Sequence, residues 1–243
     1  MLLKGKVIIT DLQRKILLAF CEIPGSEMFY LTGGTALSEF YLTHRRSYDL
    51  DLFTTEKDFV IQFSHTFEEV MKKLFQVKTI RRLLNFAEFE VSDGIAQTKV
   101  QIAHDSTFRF GEPVDSDIGI KVNDYTDLIV DKLLAFFGRV EPRNAVDLFF
   151  ILKNEDLWKL TELAKQKDLG FDLYWFAVAL KEVESFPDQI ELLAVDMIEP
   201  VDPREIKAKF SELRIEILRR IEKPTGVITL NLPEPSRLIS SSI

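Results

Sequence analysis

One short stretch limits the possible folds of this chain more than any other. Residues 32–37 read TGGTAL, and residues 49–53 read DLDLF. This pattern predicts a strand, a tight glycine turn, a helix and then a second strand. Alternate side chains of a strand share a face, so Asp49 and Asp51 should project side by side while the leucines between them pack into a core.

Two neighbouring carboxylates repel each other unless a cation lies between them. A turn such as Gly33-Gly34 that opens a helix offers backbone N–H groups to an anion, and the Thr35 hydroxyl could add a donor. A divalent metal on Asp49 and Asp51, with a phosphate on the turn, explains both features and predicts a phosphoryl- or nucleotidyl-transfer site. Mg²⁺ or Mn²⁺ suits carboxylate and phosphate oxygens. The alternative is a surface strand with solvated acids after a plain turn.

Two segments also resemble a known family. The first, sharpest over residues 28–54, contains GGTAL and HRRSYDLDLF, and the second, at residues 131–150, contains DKLLA followed by two arginines, an asparagine and an aspartate. Together they resemble the AbiEii/AbiGii-type nucleotidyltransferase toxins of the polymerase-β-like superfamily. The resemblance implies a mixed sheet with helices, followed by a helical part that completes the active site.

The resemblance also implies roles for individual residues. The implied catalytic residues are Asp49, Asp51, Lys132 and Asp147, with Asp49 and Asp51 as metal ligands for Mg²⁺ or Mn²⁺. The implied substrate-binding residues are Gly33, Gly34, Thr35, His44, Arg45, Ser47, Arg139 and Arg143. Without the resemblance, His44 would be read as a helix cap, Lys132 as a lysine extended over apolar neighbours, and Arg143–Asp147 as an ordinary helical ion pair.

The implied activity is transfer of a nucleotide from a nucleoside triphosphate to a tRNA or protein acceptor, with a cognate antitoxin as partner. One departure argues for a second hypothesis. The superfamily places a third carboxylate on a neighbouring strand, but Gln101 stands there, and a neutral amide takes no proton from a nucleophile. Asp105 could substitute, while Asn144 replaces a further family acid. A catalytically impaired nucleotide- or partner-binding protein is therefore the alternative.

Charge and hydropathy exclude other classes of protein. The net charge of −8 disfavours broad binding to nucleic acid, so RNA contact would need a local patch such as Arg45-Arg46 or Arg81-Arg82. Either arginine pair could equally be solvated surface. We see no signal peptide and no apolar run near the ~20 residues of a membrane span, which predicts a cytoplasmic protein without a membrane partner.

The periodicity of apolar residues predicts an α+β fold. Three domains or segments are expected: an α+β nucleotidyltransferase-like domain at 1–120, a helical domain at 121–223 and a tail at 224–243. Predicted strands lie at 28–32, 49–54, 78–85, 86–92 and 97–103, with a further edge strand at 227–232. Predicted helices lie at 11–21, 35–43, 58–76, 124–139, 144–153, 155–166, 172–185, 188–198 and 203–222.

Overall fold

The computed structural model describes residues 2–222, in which strands and helices are interspersed up to residue 122 and helices follow. The strands are Tyr30–Thr32 (β1), Asp49–Thr54 (β2), Gln76–Leu83 (β3), Phe86–Ser92 (β4), Gln97–His104 (β5), Val114–Asp115 (β6) and Lys121–Val122 (β7). The helices are Asp11–Cys21 (α1), Gly33–Ala36 (α2), Phe59–Met71 (α3), Tyr125–Gly138 (α4), Pro142–Ile151 (α5), Leu157–Lys167 (α6), Leu173–Glu182 (α7) and Pro203–Glu222 (α8). The predicted α+β class and the helical carboxyl-terminal part are confirmed.

All seven described strands join one mixed sheet in the order β3-β4-β5-β2-β1-β7-β6. Strand β2 lies near the middle, antiparallel to β1 and parallel to β5. The register sets Asp51 beside Thr32 on β1 and beside Gln101 on β5. The central position of β2 therefore brings side chains from three strands to one place on the sheet.

The two faces of the sheet differ in what covers them. Leu50 and Leu52 of β2 are fully buried in an apolar core with side chains of α1 and α3, such as Phe20 and Phe67. Asp49, Asp51 and Phe53 alternate with these leucines and are only partly buried on the opposite face. The strict alternation in the sequence thus fixes which face of β2 carries its carboxylates.

A second apolar core is built by helices α4 to α8. Helix α8 contributes Ile206, Phe210, Leu213 and Ile217, whose spacing places them along one helical face. Leu37, which follows the glycine turn, also belongs to this second core, whereas its neighbour Ala36 belongs to the first. We propose that the chain divides into two parts near residue 120 and that the helix after the glycine turn joins them.

The helix after the glycine turn widens as it proceeds. Four α-helical residues of α2 are followed by a π-helical stretch at Leu37–Leu42, which ends at Thr43 with φ of 64°. The left-handed residue stops the helix and redirects the chain. The next residues, His44 and Arg45, are thereby buried beneath the rest of the fold.

Two predicted elements need correction. The helix predicted at 58–76 ends at Met71, because β3 begins at Gln76. The helix predicted at 188–198 is wrong, since only Ile190–Leu193 forms a 3₁₀ turn. The residues after it run extended, because their backbone pairs with 44–46: the Arg46 N–H donates to the Asp196 carbonyl at 2.7 Å.

Smaller differences concern the start of one strand and the carboxyl-terminal residues. The strand predicted at 28–32 begins only at Tyr30, after a 3₁₀ turn at Ser26–Met28. The predicted edge strand at 227–232 and the tail at 224–243 lie outside the described residues. Within residues 2–222, no helix combines the length and the apolar character needed to cross a membrane.

Candidate active site

A cleft of about 1140 Å³ lies between the open face of the sheet and helices α4 and α5. Its floor carries the acids of β2, one side carries the glycine turn, and α4 contributes Lys132. The predicted site residues that line it are Gly33, Gly34, Arg45, Ser47, Asp49, Asp51, Lys132, Arg139 and Arg143. Three others, Thr35, His44 and Asp147, lie beneath its surface.

The two acids of β2 face the cleft side by side, as the alternation predicted. Burial raises the pKa of Asp51 to about 6, with Lys132 opposing and Asp49 reinforcing the shift. Arg143 approaches Asp49 from across the cleft, with Nη1 at 3.7 Å from Oδ2. A buried carboxylate with a raised pKa is poorly stabilised by the protein alone, and a cation would relieve that cost.

The donor set fits a metal ion shared with a substrate. Among residues 2–222, no three side chains of His, Cys, Asp or Glu are grouped closely enough to hold a metal by themselves. Mg²⁺ is commonly bound by one or two carboxylates, with substrate phosphates and water completing its six ligands. Asp49 and Asp51 fit that arrangement.

The raised pKa of Asp51 has a measurable effect on stability. Its folded pKa of about 6 lies above the unfolded value of about 4, so the native state holds the extra proton between these pH values. The free energy of unfolding without metal should therefore fall as pH rises from 4 to 6, by ~1–2 kcal/mol for this partly shielded group. Urea denaturation of Asp51→Asn should lack this part of the slope; an unchanged slope would contradict the assignment.

The glycine turn lies against the acids. Gly33 has φ of 72°, and a methyl group there would collide with the Asp51 carboxylate. The side chain of Thr32, the N-cap residue of α2, makes no capping bond, and its hydroxyl accepts a hydrogen bond from Nδ2 of Asn123 at 3.1 Å. The first N–H groups of the helix are thus left without a side-chain acceptor beside the carboxylates.

The roles expected of Gly34 and Thr35 change in detail. A Cβ on Gly34 would lie 2.7 Å from Nη2 of Arg45 and 2.8 Å from Oγ of Ser47, so this glycine is required by packing beneath the turn. The Thr35 hydroxyl donates to the backbone carbonyl of Asp49. It therefore ties the turn to β2 in this structure, and donation by this hydroxyl to a phosphate stays a prediction.

We expect Gly33→Ala to weaken triphosphate binding by at least about tenfold, or ~1.4 kcal/mol, since the added methyl displaces Asp51. Two control variants distinguish the collision with Asp51 from the backbone strain and the added methyl group themselves. Gly94 also has positive φ, at 88°, but a methyl group there would meet nothing within 4 Å, and Gly138 has an open site at ordinary φ. Calorimetry should show normal binding for Gly94→Ala and Gly138→Ala; equal binding in Gly33→Ala would show that the turn does not approach the ligand.

A buried ionic cluster lies behind the cleft, centred on Asp147 of α5. Nε and Nη2 of Arg45 donate to its two carboxylate oxygens at 2.6 and 2.9 Å. Nε2 of His44 lies 2.7 Å from Oδ1, and Nζ of Lys132 lies 2.8 Å from Oδ2. Burial alone would raise the pKa of Asp147, but Lys132 and Arg45 hold it well below its usual range.

This cluster shows where three of the predicted site residues lie. Asp147 and His44 have no exposed surface and Arg45 is 5% exposed, so all three lie beneath the cleft surface or at its edge. Burial also lowers the pKa of His44, which fits a neutral ring donating to Asp147. Asp147 contacts the Lys132 ammonium and Arg45 lies beneath the glycine turn, so we propose that the three are positioning residues. Ser47, by contrast, remains at the cleft surface.

The two exposed arginines lie at the mouth of the cleft. Helix α4 ends at Gly138 and the backbone of Arg139 is extended, so the helix predicted at 124–139 ends one residue earlier and Arg139 lies outside it. Nε of Arg143 lies 2.9 Å from Oε2 of Glu141, and Nη1 of Arg143 approaches Asp49. The described ion-pair partners of Asp147 are instead His44, Arg45 and Lys132. The simple Arg143–Asp147 pair is thus wrong.

The structure explains the asparagine that replaces a family acid. Nδ2 of Asn144 donates to the backbone carbonyl of Arg139 at 3.1 Å, just beyond the end of α4. A carboxylate at this position would repel that carbonyl, since it can only accept. Asn144 is therefore a capping residue that holds α4 and α5 together.

Sequence reasoning missed an acid near the vacant third-carboxylate position. Nε2 of Gln101 donates to Glu88 of β4 at 2.8 Å, and both line the cleft. The alternation of β4 signalled that Glu88 faces away from the core, but only the strand order shows that β4 lies next to β5. The substitute considered from sequence, Asp105, accepts hydrogen bonds from the Ser106 N–H and the Tyr30 hydroxyl.

The expected arginine patches are only partly exposed. Arg45 is buried, and Arg82 pairs with Glu68 on the core side of the sheet. Arg81 alone of that pair lines the cleft, with its guanidinium 4.7 Å from the centre of the Phe86 ring. Arg46 lies at the rim of the cleft, with its Nη1 at 3.7 Å from Oδ1 of Asp196.

Three solved structures share this fold. A candidate nucleotidyltransferase from H. pylori superposes with a TM-score of 0.59 at 19% identity, covering 89% of this chain and 96% of that one. JHP933 from Helicobacter pylori superposes with a TM-score of 0.52 at 20% identity, covering 87% of this chain and 90% of that one. MenT4, a nucleotidyltransferase toxin from Mycobacterium tuberculosis, superposes with a TM-score of 0.53 at 14% identity, covering 86% of this chain and 82% of that one. The fold is that of the nucleotidyltransferases.

The sequence assigns the chain more narrowly. The family model of the nucleotidyl transferase AbiEii toxins, of type IV toxin–antitoxin systems, matches residues 15–220. The chain therefore belongs to the AbiEii nucleotidyltransferase toxin family, as its motifs indicated. A comparison with curated proteins found no match.

Proposed function

We propose that this protein transfers a nucleotide from a nucleoside triphosphate to an RNA acceptor, tRNA included, with Mg²⁺ or Mn²⁺ bound at Asp49 and Asp51. The observation that carries this proposal is one cleft in which two β2 carboxylates, an uncapped glycine turn and the Lys132 ammonium converge. Carboxylates suit a metal, whereas N–H groups and an ammonium suit phosphates. A nucleoside triphosphate with its metal ion needs both kinds of group.

The chain's own residues divide the work. The N–H groups of Gly33 and Gly34 hold phosphate oxygens, and Lys132 adds a positive charge whose position is fixed by Asp147. Arg143 at the mouth is free to follow the departing pyrophosphate, because it is about half exposed. The metal, when bound, stabilises the negative charge of the phosphates during transfer. Catalysis of this kind depends on positioning and charge stabilisation.

The open sheet face supports a nucleic-acid acceptor over a protein. Phe53 and Phe86 line the cleft two strands apart, and Ala103 lies between them in the register. Arg81 stacks on Phe86. Aromatic rings with a stacked arginine are typical of surfaces that bind unpaired bases.

Membership of the AbiEii family supports a toxin that is paired with an antitoxin. The rival proposal is a nucleotide-binding protein without transferase activity. Gln101, at the position of the expected third acid, favours it. The two proposals make different predictions for the wild-type protein.

The test uses wild-type protein with each α-labelled nucleoside triphosphate, Mg²⁺, and either total RNA or total protein. We expect label in RNA with at least one triphosphate, and none after chelation of the metal. Label in protein alone would overturn the acceptor assignment. Triphosphate binding by calorimetry without any transfer would support the binding protein instead.

A further inference from the structure

The side chains of Gln101 and Glu88 form a pair on the open face of the sheet. Nε2 of Gln101 donates to Oε2 of Glu88 at 2.8 Å. A carboxylate only accepts hydrogen bonds, so the amide must present its NH₂ group to Glu88. No second donor to this carboxylate occurs in the described part of the chain, which leaves Oε1 of Glu88 available to a ligand in the cleft.

The register places this pair in line with the metal-binding acids. Asp51 on β2 lies beside Gln101 on β5, which lies beside Glu88 on β4. Neighbouring strands are about 4.8 Å apart, so the backbones that carry Asp51 and Glu88 are about 10 Å apart. That gap leaves room over Gln101 for the reacting hydroxyl of an acceptor.

Asp105, the other acid near β5, is less suitable. Its Oδ1 accepts from the Ser106 N–H at 2.8 Å, and its Oδ2 accepts from the Tyr30 hydroxyl. It also lies four residues beyond Gln101 along the chain, after the end of β5. Both oxygens of Asp105 accept hydrogen bonds from the protein, whereas in the described residues only Oε2 of Glu88 does.

We infer that Glu88 is the general base for the acceptor and that Gln101 orients it, an inference that rests on the proposed transferase function. The acceptor oxygen forms a bond to the α-phosphorus, and its proton passes to the Glu88 carboxylate. The bond from that phosphorus to the pyrophosphate oxygen breaks, and pyrophosphate leaves with the electron pair. Glu88 then loses its proton to water.

The chain provides a matched control on the same strand. Glu90 shares the face of Glu88 but lies beside Lys99 rather than Gln101 in the register. Across the neighbouring strands, the charged residue beside Glu88 is Arg81 on β3, whereas Lys99 on β5 lies beside Glu90. Glu88→Gln and Glu90→Gln remove the same charge from the same surface.

The experiment measures single-turnover transfer to total RNA and triphosphate affinity by calorimetry. Glu88→Gln should lower the rate by about 10²- to 10⁴-fold with unchanged triphosphate affinity, because a base acts on the acceptor. Glu90→Gln should behave as wild type. The exchange Glu88→Gln with Gln101→Asp keeps the total charge and should recover part of the rate.

The outcomes separate the two claims. Equal rates in wild type, Glu88→Gln and Glu90→Gln would overturn the base assignment while leaving the transferase intact. Loss of transfer in Asp105→Asn with an unaffected Glu88→Gln would assign the role to Asp105. Wild-type protein that binds triphosphate but labels no acceptor would overturn both the base and the transferase.

Discussion

Replacing Asp49 and Asp51 together with asparagine should weaken Mg²⁺-dependent triphosphate binding by at least about 100-fold, or ~2.7 kcal/mol, and abolish transfer. Neutral amides are poor ligands for Mg²⁺, and the glycine turn and Lys132 cannot replace the lost ion. The fold should survive, because the variant removes the repulsion between the two acids and the cost of burying Asp51. Calorimetry with and without Mg²⁺ measures the effect.

Glu191 provides the control for this variant. It also lines the cleft, but on the segment opposite β2, and it has no place in the proposed metal site. Glu191→Gln therefore changes the charge of the cleft without touching a ligand and should bind triphosphate normally. Undiminished Mg²⁺-dependent binding in the double variant would reject the metal site.

Asp147→Asn should destabilise the protein by about 3–5 kcal/mol, the range for removing one partner of a buried ion pair. Arg45 and Lys132 would be left without their counter-charge, and the substituted amide would place an NH₂ group against donors. The free energy of unfolding in urea measures the loss. Transfer should also fall, since Lys132 would no longer be fixed.

An exposed ion pair provides the comparison for Asp147. Asp202 pairs with Arg204 at the surface, where solvent screens the attraction between the charges, so Asp202→Asn should have little effect. The pKa of Asp147 lies below its unfolded value, so its contribution is present above pH ~4 and lost as pH falls below that. A loss below about 1 kcal/mol would show that the cluster is not a main source of stability.

Local patterns were sufficient where the structure depends on neighbours in sequence. The alternation of residues 49–54 predicted the faces of β2, and the spacing of apolar residues predicted α8 at Pro203–Glu222. The glycine turn was predicted with a helix after it. In each case one face of the element is buried, which imposes a period that can be read directly.

Local patterns failed where the partner is distant. Asp147 and Arg45 are 102 residues apart, and nothing near either one shows that they meet. Glu88 became a candidate only once β4 was placed beside β5. The segment at 188–198 has the composition of a helix, yet pairing with residues 44–46 keeps it extended.

The charge balance of the cleft also determines when, during synthesis, the site can form. A ribosome releases the glycine turn, Arg45 and both β2 acids long before the Asp147 of α5. Until then Arg45 lacks its counter-charge, Lys132 has no fixed position, and the second apolar core that holds α4 and α5 is missing. The proposed site is therefore incomplete in any nascent chain that does not yet include α5.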